Sequence, residues 1–490
     1  MIQLSAEQVS NLYKLSPEIT LCASGILVMI ADPFINAAYK RVLGWVAFAG
    51  MIAALVSVRI AAHNLGPAYN DLIHVDHFSV FIHVVVIGAA ALAILGSISY
   101  LDGEGLQRGE YYALVLFATA GMGILAGANE LVTAFLGLEM SSISSYVLAG
   151  FRRRAIQSNE ASLKYFLLGS FATAFFLYGI AMVYGGTDTT RIDLISAEFK
   201  IAPATAGGNS LPILGLGLIF VGLGFKVVAA PFQIYAPDVY EGAPTPVTAL
   251  LASAPKAATF ALMLRVFYVS FGSAGSIWFW AVWVSAVLTM FIGNLAALVQ
   301  TNVKRMLAYS SIAHAGYILV AFAASTDLGI GAVLFYLAVY ALMKVGAFLV
   351  ITHLGQQGER HLEVGDYAGL GTRQPVLAAC FSLFLLSLLG LPATGGFLGK
   401  FFAFQAALDS KVIWLVVIAA INSIIGAYYY LRVMIVMYFR EPSKDYTPTA
   451  VAPAVSLALL IAAAGTLYLG IFPARVLLLA RAAAESLFPP

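Results

Sequence analysis

Charged residues are scarce in this 490-residue chain. They make up 10% of it, whereas 61% of the residues are hydrophobic, and the mean hydropathy is +0.91. Soluble domains carry about 25% charged residues, so the composition excludes a soluble protein and predicts a polytopic membrane protein. The longest basic run is only Arg152-Arg153-Arg154, and the net charge is +2. We therefore expect no nucleic acid as a partner.

Cysteine is also scarce, since the chain has only Cys22 and Cys380, far apart in apolar segments. Iron–sulfur clusters take about four cysteine ligands, so we expect no cluster in this chain. His83 and His353 do not make a convincing pair of axial haem ligands. The sequence therefore predicts a protein that binds no redox cofactor itself.

What the chain does contain is apolar runs of about 20 residues, the length that crosses a bilayer as a helix. About 14 such runs occur in the chain. Their limits are 17–35, 41–62, 78–101, 110–127, 130–151, 159–185, 210–231, 247–271, 275–300, 303–324, 328–354, 374–408, 411–439 and 449–473. We predict an all-α protein with one membrane domain over 1–490.

The basic residues in the connections predict the orientation of the helices. One side of the predicted topology collects more lysine and arginine than the other, including Arg152, Arg153, Arg154, Lys304 and Arg305. Loops rich in these residues are typically cytoplasmic. We therefore expect both termini on the periplasmic side.

A lysine beside a helix break marks the centre of the chain. Lys226 lies in an apolar run that begins near Leu211, and Pro231 follows one turn later. Proline removes a donor from the helix ladder and clashes with the carbonyl four residues earlier. Lys256 then lies in the next apolar run. A charge at membrane depth costs from about 2.5 to more than about 10 kcal/mol, so we interpret this segment as part of an ion path.

The twelfth predicted helix repeats this pattern, with Pro392 at a Gly-rich break and Lys400 two turns beyond. Because the two broken helices are five apart in order, their repeats point in opposite directions, and such breaks are a sequence pointer to a transport site. We predict helices 1–3 in 1–105, a first repeat with helices 4–8 in 106–274, an inverted second repeat with helices 9–13 in 275–440, and helix 14 in 441–490.

Several protonatable residues lie inside the apolar runs. Burial lowers the pKa of a lysine and a nearby carboxylate raises it again, so a lysine whose partner moves has two proton affinities. Lys164 and Lys344 could instead reach the interface from helix ends. Glu139 could form a structural salt bridge, and His314 could be a packing residue. The candidate site residues are Glu139, Lys164, Lys226, Lys256, His314 and Lys400.

Four segments together carry a resemblance to a known family. They are Pro-Asp-Val-Tyr-Glu-Gly-Ala-Pro-Thr-Pro-Val-Thr-Ala at 237–249, Leu-Lys-Tyr-Phe-Leu-Leu-Gly-Ser-Phe at 163–171, Lys-Arg-Met-Leu-Ala-Tyr-Ser-Ser-Ile-Ala-His-Ala-Gly-Tyr at 304–317 and Leu-Pro-Ala-Thr-Gly-Gly-Phe-Leu-Gly-Lys at 391–400. From about the fourth to the thirteenth helix, the chain resembles the antiporter-like membrane subunits of proton-pumping NADH–quinone oxidoreductase (respiratory complex I).

Within that family the chain looks most like subunit N. Lysine rather than glutamate at 400 argues against subunit M, and Lys256 and the short segment after the fourteenth helix argue against subunit L. The resemblance implies that Glu139 partners Lys226, that Lys256 and Lys400 continue the proton path, and that Lys164 matches a further family lysine.

The resemblance also implies a function. The chain would translocate protons in a bacterial inner membrane, driven by quinone reduction elsewhere in the complex. NAD, FMN, iron–sulfur clusters and quinone would belong to other subunits, and its partners would be subunit M and small membrane subunits. The alternatives are a subunit of a multisubunit Na⁺/H⁺ antiporter and a standalone solute transporter.

Three residues depart from the family pattern. Gln233 and Tyr235 stand where the family usually has histidine and tryptophan, and because glutamine does not titrate we expect no titrating role at 233. Lys344 stands where we expect an uncharged residue, and the resemblance implies no role for it.

Overall fold

The computed structural model describes residues 5–201, 210–442 and 448–488, so the predicted connection 186–209 lies partly outside the described residues. The helices of the first half are α1 Ala6–Lys14, α2 Ser16–Ala31, α3 Arg41–Ala62, α4 His77–Gly103, α5 Gly109–Gly127, α6 Leu131–Ala149, α7 Ile156–Thr187, α8 Ile192–Ile201, α9 Ser210–Lys226, α10 Ala236–Gly242, α11 Thr245–Leu251 and α12 Ala254–Leu264. Those of the second half are α13 Gly275–Leu298, α14 Val303–Ala323, α15 Asp327–Leu354, α16 Leu370–Arg373, α17 Pro375–Leu389, α18 Gly395–Asp409, α19 Ile413–Phe439, α20 Pro453–Ile471 and α21 Ala474–Glu485. A small antiparallel sheet, β1 Gly66–Ala68 with β2 Ile73–Val75, lies between α3 and α4.

The predicted all-α membrane fold is confirmed. In the described part of the chain, 12 helical segments are long and apolar enough to cross a membrane, and the shorter apolar helices α9 and α17 lie at the seventh and twelfth predicted positions. The sheet was not predicted, because its strands are only three residues long.

Polar residues at the starts of the long helices explain several of their limits. Asp76, Glu130, Asn302 and Thr326 precede α4, α6, α14 and α15, and each side chain accepts a hydrogen bond from a backbone N–H of the first turn. The first N–H groups of a helix have no partner within it, and an oxygen at this position typically stabilises the helix by about 1 kcal/mol.

The first helix break begins earlier than the position of Pro231 predicts. Helix α9 ends at Lys226, and Val228 has a φ of +58°. The backbone groups of Ala230, which is buried and outside the helix, are bonded by α13, since its N–H donates to Thr289 Oγ1 at 2.7 Å and its carbonyl accepts from Ser285 Oγ at 2.7 Å. Non-helical backbone is tolerated at membrane depth only where protein or a water-filled cavity surrounds it.

The eighth predicted helix is also divided. Its first part is α11, and after Ser253 it continues as α12 and then as a π-helical turn, Arg265–Ser270. The span predicted over 247–271 is present as one membrane-crossing segment, Thr245–Ser270, and the interruption after Leu251 is a feature that the prediction did not include. Pro255 explains the interruption, since a proline at the first turn favours a new helix start. Arg265 in the π-helical turn is buried and forms an ion pair of 2.8 Å with Asp76.

The second break lies where Pro392 predicts it. Helix α17 ends at Leu389, Gly390 has a φ of +95°, and α18 begins at Gly395. The Gly396 N–H donates to Ser387 Oγ at 3.0 Å, which joins the two half-helices. Each break therefore separates two half-helices whose free backbone groups are bonded by nearby side chains.

Gly396 has a specific packing role, because a Cβ atom there would lie 1.8 Å from the Ser387 carbonyl oxygen. Gly396→Ala should therefore separate the half-helices and cost about 1–3 kcal/mol of folding free energy or more. We expect little assembled protein after detergent extraction, measured by immunoblot and thermal denaturation. Gly217→Ala is the control, because a Cβ at this glycine of α9 meets nothing within 4 Å. Equal loss in both variants would contradict this account.

Candidate functional site

Four lysines and one histidine lie buried in the middle of the two repeats. The exposed fraction is 7% for Lys226 and 6% for Lys400, and it is 0% for Lys256 and Lys344. His314 is 1% exposed. Among the described residues, no ion pair joins any of these four lysines to a carboxylate. Because a buried charge without a counter-ion costs several kcal/mol, the charged form of each of these lysines is costly here, and none of them stabilises the fold through an ion pair among the described residues.

Lys226, the last residue of α9, contacts α6 at the first break. Its Nζ donates to Ser142 Oγ at 2.7 Å and to Tyr146 OH at 3.3 Å, and it lies 5.1 Å from the centre of the Tyr146 ring. A lysine over an aromatic face is stabilised by the ring's electron density. Lys226 Nζ also lies 5.4 Å from the centre of the Tyr165 ring of α7, so neutral groups of two helices surround the lysine.

The expected pairing of Glu139 with Lys226 is not formed in this structure. Glu139 lies one turn before Ser142 and two turns before Tyr146, on the same face of α6. The hydroxyl groups of those two residues bind the lysine instead. Glu139 Oε1 is buried and has no hydrogen-bond partner. Glu139 therefore lies on the face of α6 that binds Lys226, but its carboxylate does not bind the lysine in this structure.

Lys256 and Lys344 both contact one tyrosine, Tyr340 of α15. Lys256 Nζ donates to the Ser311 carbonyl at 2.7 Å and to Tyr340 OH at 3.3 Å. Lys344 Nζ donates to the Leu307 carbonyl at 2.8 Å and lies 6.0 Å from the centre of the Tyr340 ring. Lys344, which the sequence left without a role, is thus fully inside the protein and does not reach the interface.

A series of hydrogen bonds continues from Lys344. Its Nζ donates to Ser310 Oγ at 2.9 Å, and Ser310 shares a short hydrogen bond with Tyr430 of α19. Tyr430 OH lies 3.2 Å from His314 Nε2, and His314 Nδ1 lies 2.9 Å from Tyr336 OH. Hydroxyl and imidazole groups both donate and accept, so this series can pass a proton between three helices.

Lys400 lies next to this series but is not bonded to it. Its Nζ reaches back across the second break to the Leu389 carbonyl at 2.8 Å and donates to Ser423 Oγ at 2.8 Å. It also lies 4.6 Å from the centre of the Tyr317 ring, and the Tyr317 and His314 ring centres are 5.6 Å apart. Tyr317 therefore packs between Lys400 and the histidine.

Lys164 is in a different environment from the other predicted site residues. Its side chain is 40% exposed and forms ion pairs with Glu160 at 2.7 Å and with Asp238 at 2.6 Å. Asp238 also binds Arg305 at 2.9 Å, and Arg305 binds Glu241 at 2.6 Å. The structure therefore places Lys164 in an ion-pair cluster near the ends of α7, α10 and α14, outside the buried group.

Three residues of this cluster, Asp238, Glu241 and Arg305, were not among the predicted site residues, although the segments that carry the family resemblance contain them. Asp238 and Glu241 belong to the segment 237–249, and Arg305 belongs to 304–317. The acidic residues in the first segment and the adjacent basic residues in the second are the pattern from which this ion-pair cluster could have been predicted. Gln233 is buried nearby in the chain, and its Oε1 has no hydrogen-bond partner.

Two broken helices, each with a buried lysine, define a membrane protein of the antiporter-like class, and comparison with known proteins agrees. Residues 128–426 match the family described as NADH:quinone oxidoreductase/Mrp antiporter, transmembrane. The fold is also similar to a chain of the Mrp complex from Dietzia sp., with a TM-score of 0.85 over 98% of both chains at 24% identity.

Closer relatives are more specific. The chain is 48% identical over 472 residues to NADH-quinone oxidoreductase subunit N 1 of Solibacter usitatus, covering 96% of both, and 49% identical to subunit N 2 of Koribacter versatilis, covering 97% of both. It is 34% identical to a chain of respiratory complex I from Thermus thermophilus, with a TM-score of 0.79 over 94% of this chain and 98% of that one. The chain belongs to the NADH-quinone oxidoreductase subunit N family.

Lys344 provides a test of the buried series that the sequence did not suggest. Lys344→Met keeps the length of the side chain but removes the donor to Ser310, so redox-driven acidification per assembled complex should fall by about tenfold or more. The measurement uses inverted membrane vesicles, with complex content determined by immunoblot. Leu342→Met on the same helix is the control, because Leu342 is only partly buried and lines an apolar groove. Unchanged acidification in Lys344→Met would remove this lysine from the path.

Proposed function

We propose that this chain is a proton-translocating membrane subunit of an NADH–quinone oxidoreductase. The observation that carries the proposal is the group of buried lysines without carboxylate partners, which extends from the first helix break through both repeats to the second. Membership of the subunit N family supports the same function. Ionisable residues inside a membrane protein typically mark ion pathways.

The proposed path begins at Lys226. A conformational change that lets Glu139 replace Ser142 and Tyr146 as its partner would favour the ammonium form, and loss of that carboxylate contact would favour release of the proton. In this proposal, Glu139 and Lys226 form a pair that opens and closes, and the structure is one state of it. The unpaired oxygen of Glu139 supports this role.

The middle of the proposed path runs from the end of the first repeat into the second. Lys256 and Lys344 exchange protons around Tyr340, and the series Ser310, Tyr430 and His314 carries them toward Lys400. Each hydroxyl accepts one proton and donates its own to the next group. Lys164 would act outside this series, as part of the ion-pair cluster with Asp238.

The chain itself carries no redox step in this proposal. NAD, FMN, iron–sulfur clusters and quinone belong to other subunits of the complex. Its partners are subunit M, small membrane subunits and the lipid bilayer. We place it in a bacterial inner membrane with both termini on the periplasmic side, as its basic residues predict. The boundaries proposed for the repeats remain 106–274 and 275–440.

Lys226 tests the central role. Lys226→Ala removes the group that binds and releases the proton, so redox-driven acidification should be lost and coupled quinone reduction strongly reduced at normal complex content. Both rates are measured in inverted membrane vesicles. Lys14→Ala is the control, since Lys14 near the end of α1 donates only to the Pro67 carbonyl. Normal acidification by an assembled Lys226→Ala complex would contradict the proposal.

The same measurements separate this function from its rival. A multisubunit Na⁺/H⁺ antiporter exchanges ions without redox input. Acidification in these vesicles should depend on NADH and quinone and should not require Na⁺, and the chain should copurify with redox subunits. Exchange that follows an imposed Na⁺ gradient in the absence of NADH would favour the antiporter.

Lys400 tests whether the path reaches the second break. Lys400→Glu keeps a titratable group beside Leu389, whereas Lys400→Ala keeps none. We expect partial acidification from the glutamate variant and at least about a tenfold loss from the alanine variant. Wild-type rates in Lys400→Ala would mean that protons leave by another route, and the inverted-repeat interpretation would fail with it.

A further inference from the structure

One buried carboxylate has no place in the proton path described above. Glu359 lies in the connection after α15, and its side chain is 6% exposed. Its φ is +53°, in the left-handed region that favours glycine. A glutamate with a buried carboxylate at such a position needs a specific set of partners, and the structure provides five contacts.

The two carboxylate oxygens bind different groups. Oε1 accepts hydrogen bonds from Thr245 N–H at 2.7 Å, from Thr245 Oγ1 at 2.6 Å and from Tyr100 OH at 2.9 Å. Oε2 accepts from Lys304 Nζ at 2.8 Å and lies 3.4 Å from Arg152 Nη1. Glu359 therefore contacts residues of α4, of the connection after α6, of α11 and of α14.

Lys304 also contacts the segment that joins α10 to α11. It is 0% exposed, and its Nζ also donates to the carbonyl of Ala243 at 2.5 Å. Ala243 and Pro244 join α10 to α11, and Thr245 begins α11. The pair of Glu359 and Lys304 therefore holds both ends of the junction between these half-helices.

The junction leads directly to the proton path. Helix α11 ends at Leu251, and α12, which follows it, carries Lys256. Helix α14 begins beside Lys304 and carries Ser310 and His314. A shift of α11 relative to α14 would change the distance between Lys256 and the Ser311 carbonyl, which is now 2.7 Å.

The charge balance keeps Glu359 ionised. Burial alone would raise the pKa of this carboxyl, but Lys304, the hydrogen bond from Thr245 and the Arg152 guanidinium together hold its pKa below its ordinary value. Glu104, which lies 3.5 Å from Arg152, is the other carboxylate facing this group. Removing one partner of such a buried pair leaves the other charge uncompensated.

We propose that Glu359 is a positioning residue for proton transfer, which aligns the α10–α11 junction of the first repeat with α14 of the second and so fixes Lys256 in the path. This inference rests on the proposed proton-translocating function. It differs from a purely stabilising role, because it requires the rate of each assembled complex to depend on the Glu359 carboxylate.

Glu359→Gln provides the first measurement. It preserves the volume but loses the charge that Lys304 requires, so redox-driven acidification per assembled complex should fall by about fivefold or more. Glu359→Asp keeps the charge and should recover a substantial part of the rate. Glu363→Gln is the matched control, since Glu363 lies in the same connection with its side chain exposed, and its rate should equal that of the wild type.

A double variant keeps the test decisive if Glu359→Gln assembles poorly. Lys304→Met with Glu359→Gln removes both buried charges, so the amount of assembled complex should recover while the rate per complex stays low. A wild-type rate per complex in either Glu359→Gln or the double variant would overturn the inference. Lys226→Ala in the same vesicles separates the two proposals, because loss there with full activity in Glu359→Gln would refute only the positioning role.

Discussion

Backbone groups inside a membrane protein must find hydrogen-bond partners within the protein, and this constraint shapes both halves of the chain. Each N–H or carbonyl left without a partner in hydrocarbon costs several kcal/mol. The first break therefore depends on Ser285 and Thr289 of α13, which bind Ala230 on both sides of its backbone. The second depends on Ser387 and on the ammonium of Lys400, which binds the end of α17.

The two breaks use their lysines differently. Lys226 ends the first half-helix and donates to hydroxyls of a neighbouring helix, whereas Lys400 lies in the second half-helix and donates to the carbonyl of Leu389 on the other side of its break. The repeats are thus alike in architecture but not in detail.

Neutral groups surround the buried lysines, and ion pairs lie at the helix ends. Tyrosine and serine hydroxyls bind the buried lysines, and such groups can accept or donate. The carboxylates of Asp238, Glu241 and Glu359 bind Lys164, Arg305 and Lys304 near the helix ends. Among the described residues, no carboxylate therefore binds Lys226, Lys256, Lys344 or Lys400 as a fixed counter-ion, which would favour the charged form of the lysine.

Much of this organisation follows from the sequence alone. Long apolar runs predict the number of helices, because a membrane helix must bury about 20 residues whatever its neighbours are. Pro392 and the glycines beside it locate the second break, because a proline lacks the donor that a helix needs. Lys226, Lys256, His314 and Lys400 could be selected because charge is rare in such runs.

Tertiary structure decided which of these groups meet. Lys164 and Lys344 look alike in sequence, each near a helix end, but neighbouring helices cover Lys344 completely and leave Lys164 exposed beside Asp238. The contact of Lys226 with Ser142 and the five contacts of Glu359 join residues that are far apart in the chain. The end of α9 at Lys226 was likewise visible only in the tertiary structure. Periodicity and composition report on one segment at a time, whereas hydrogen bonds between helices depend on how the segments pack.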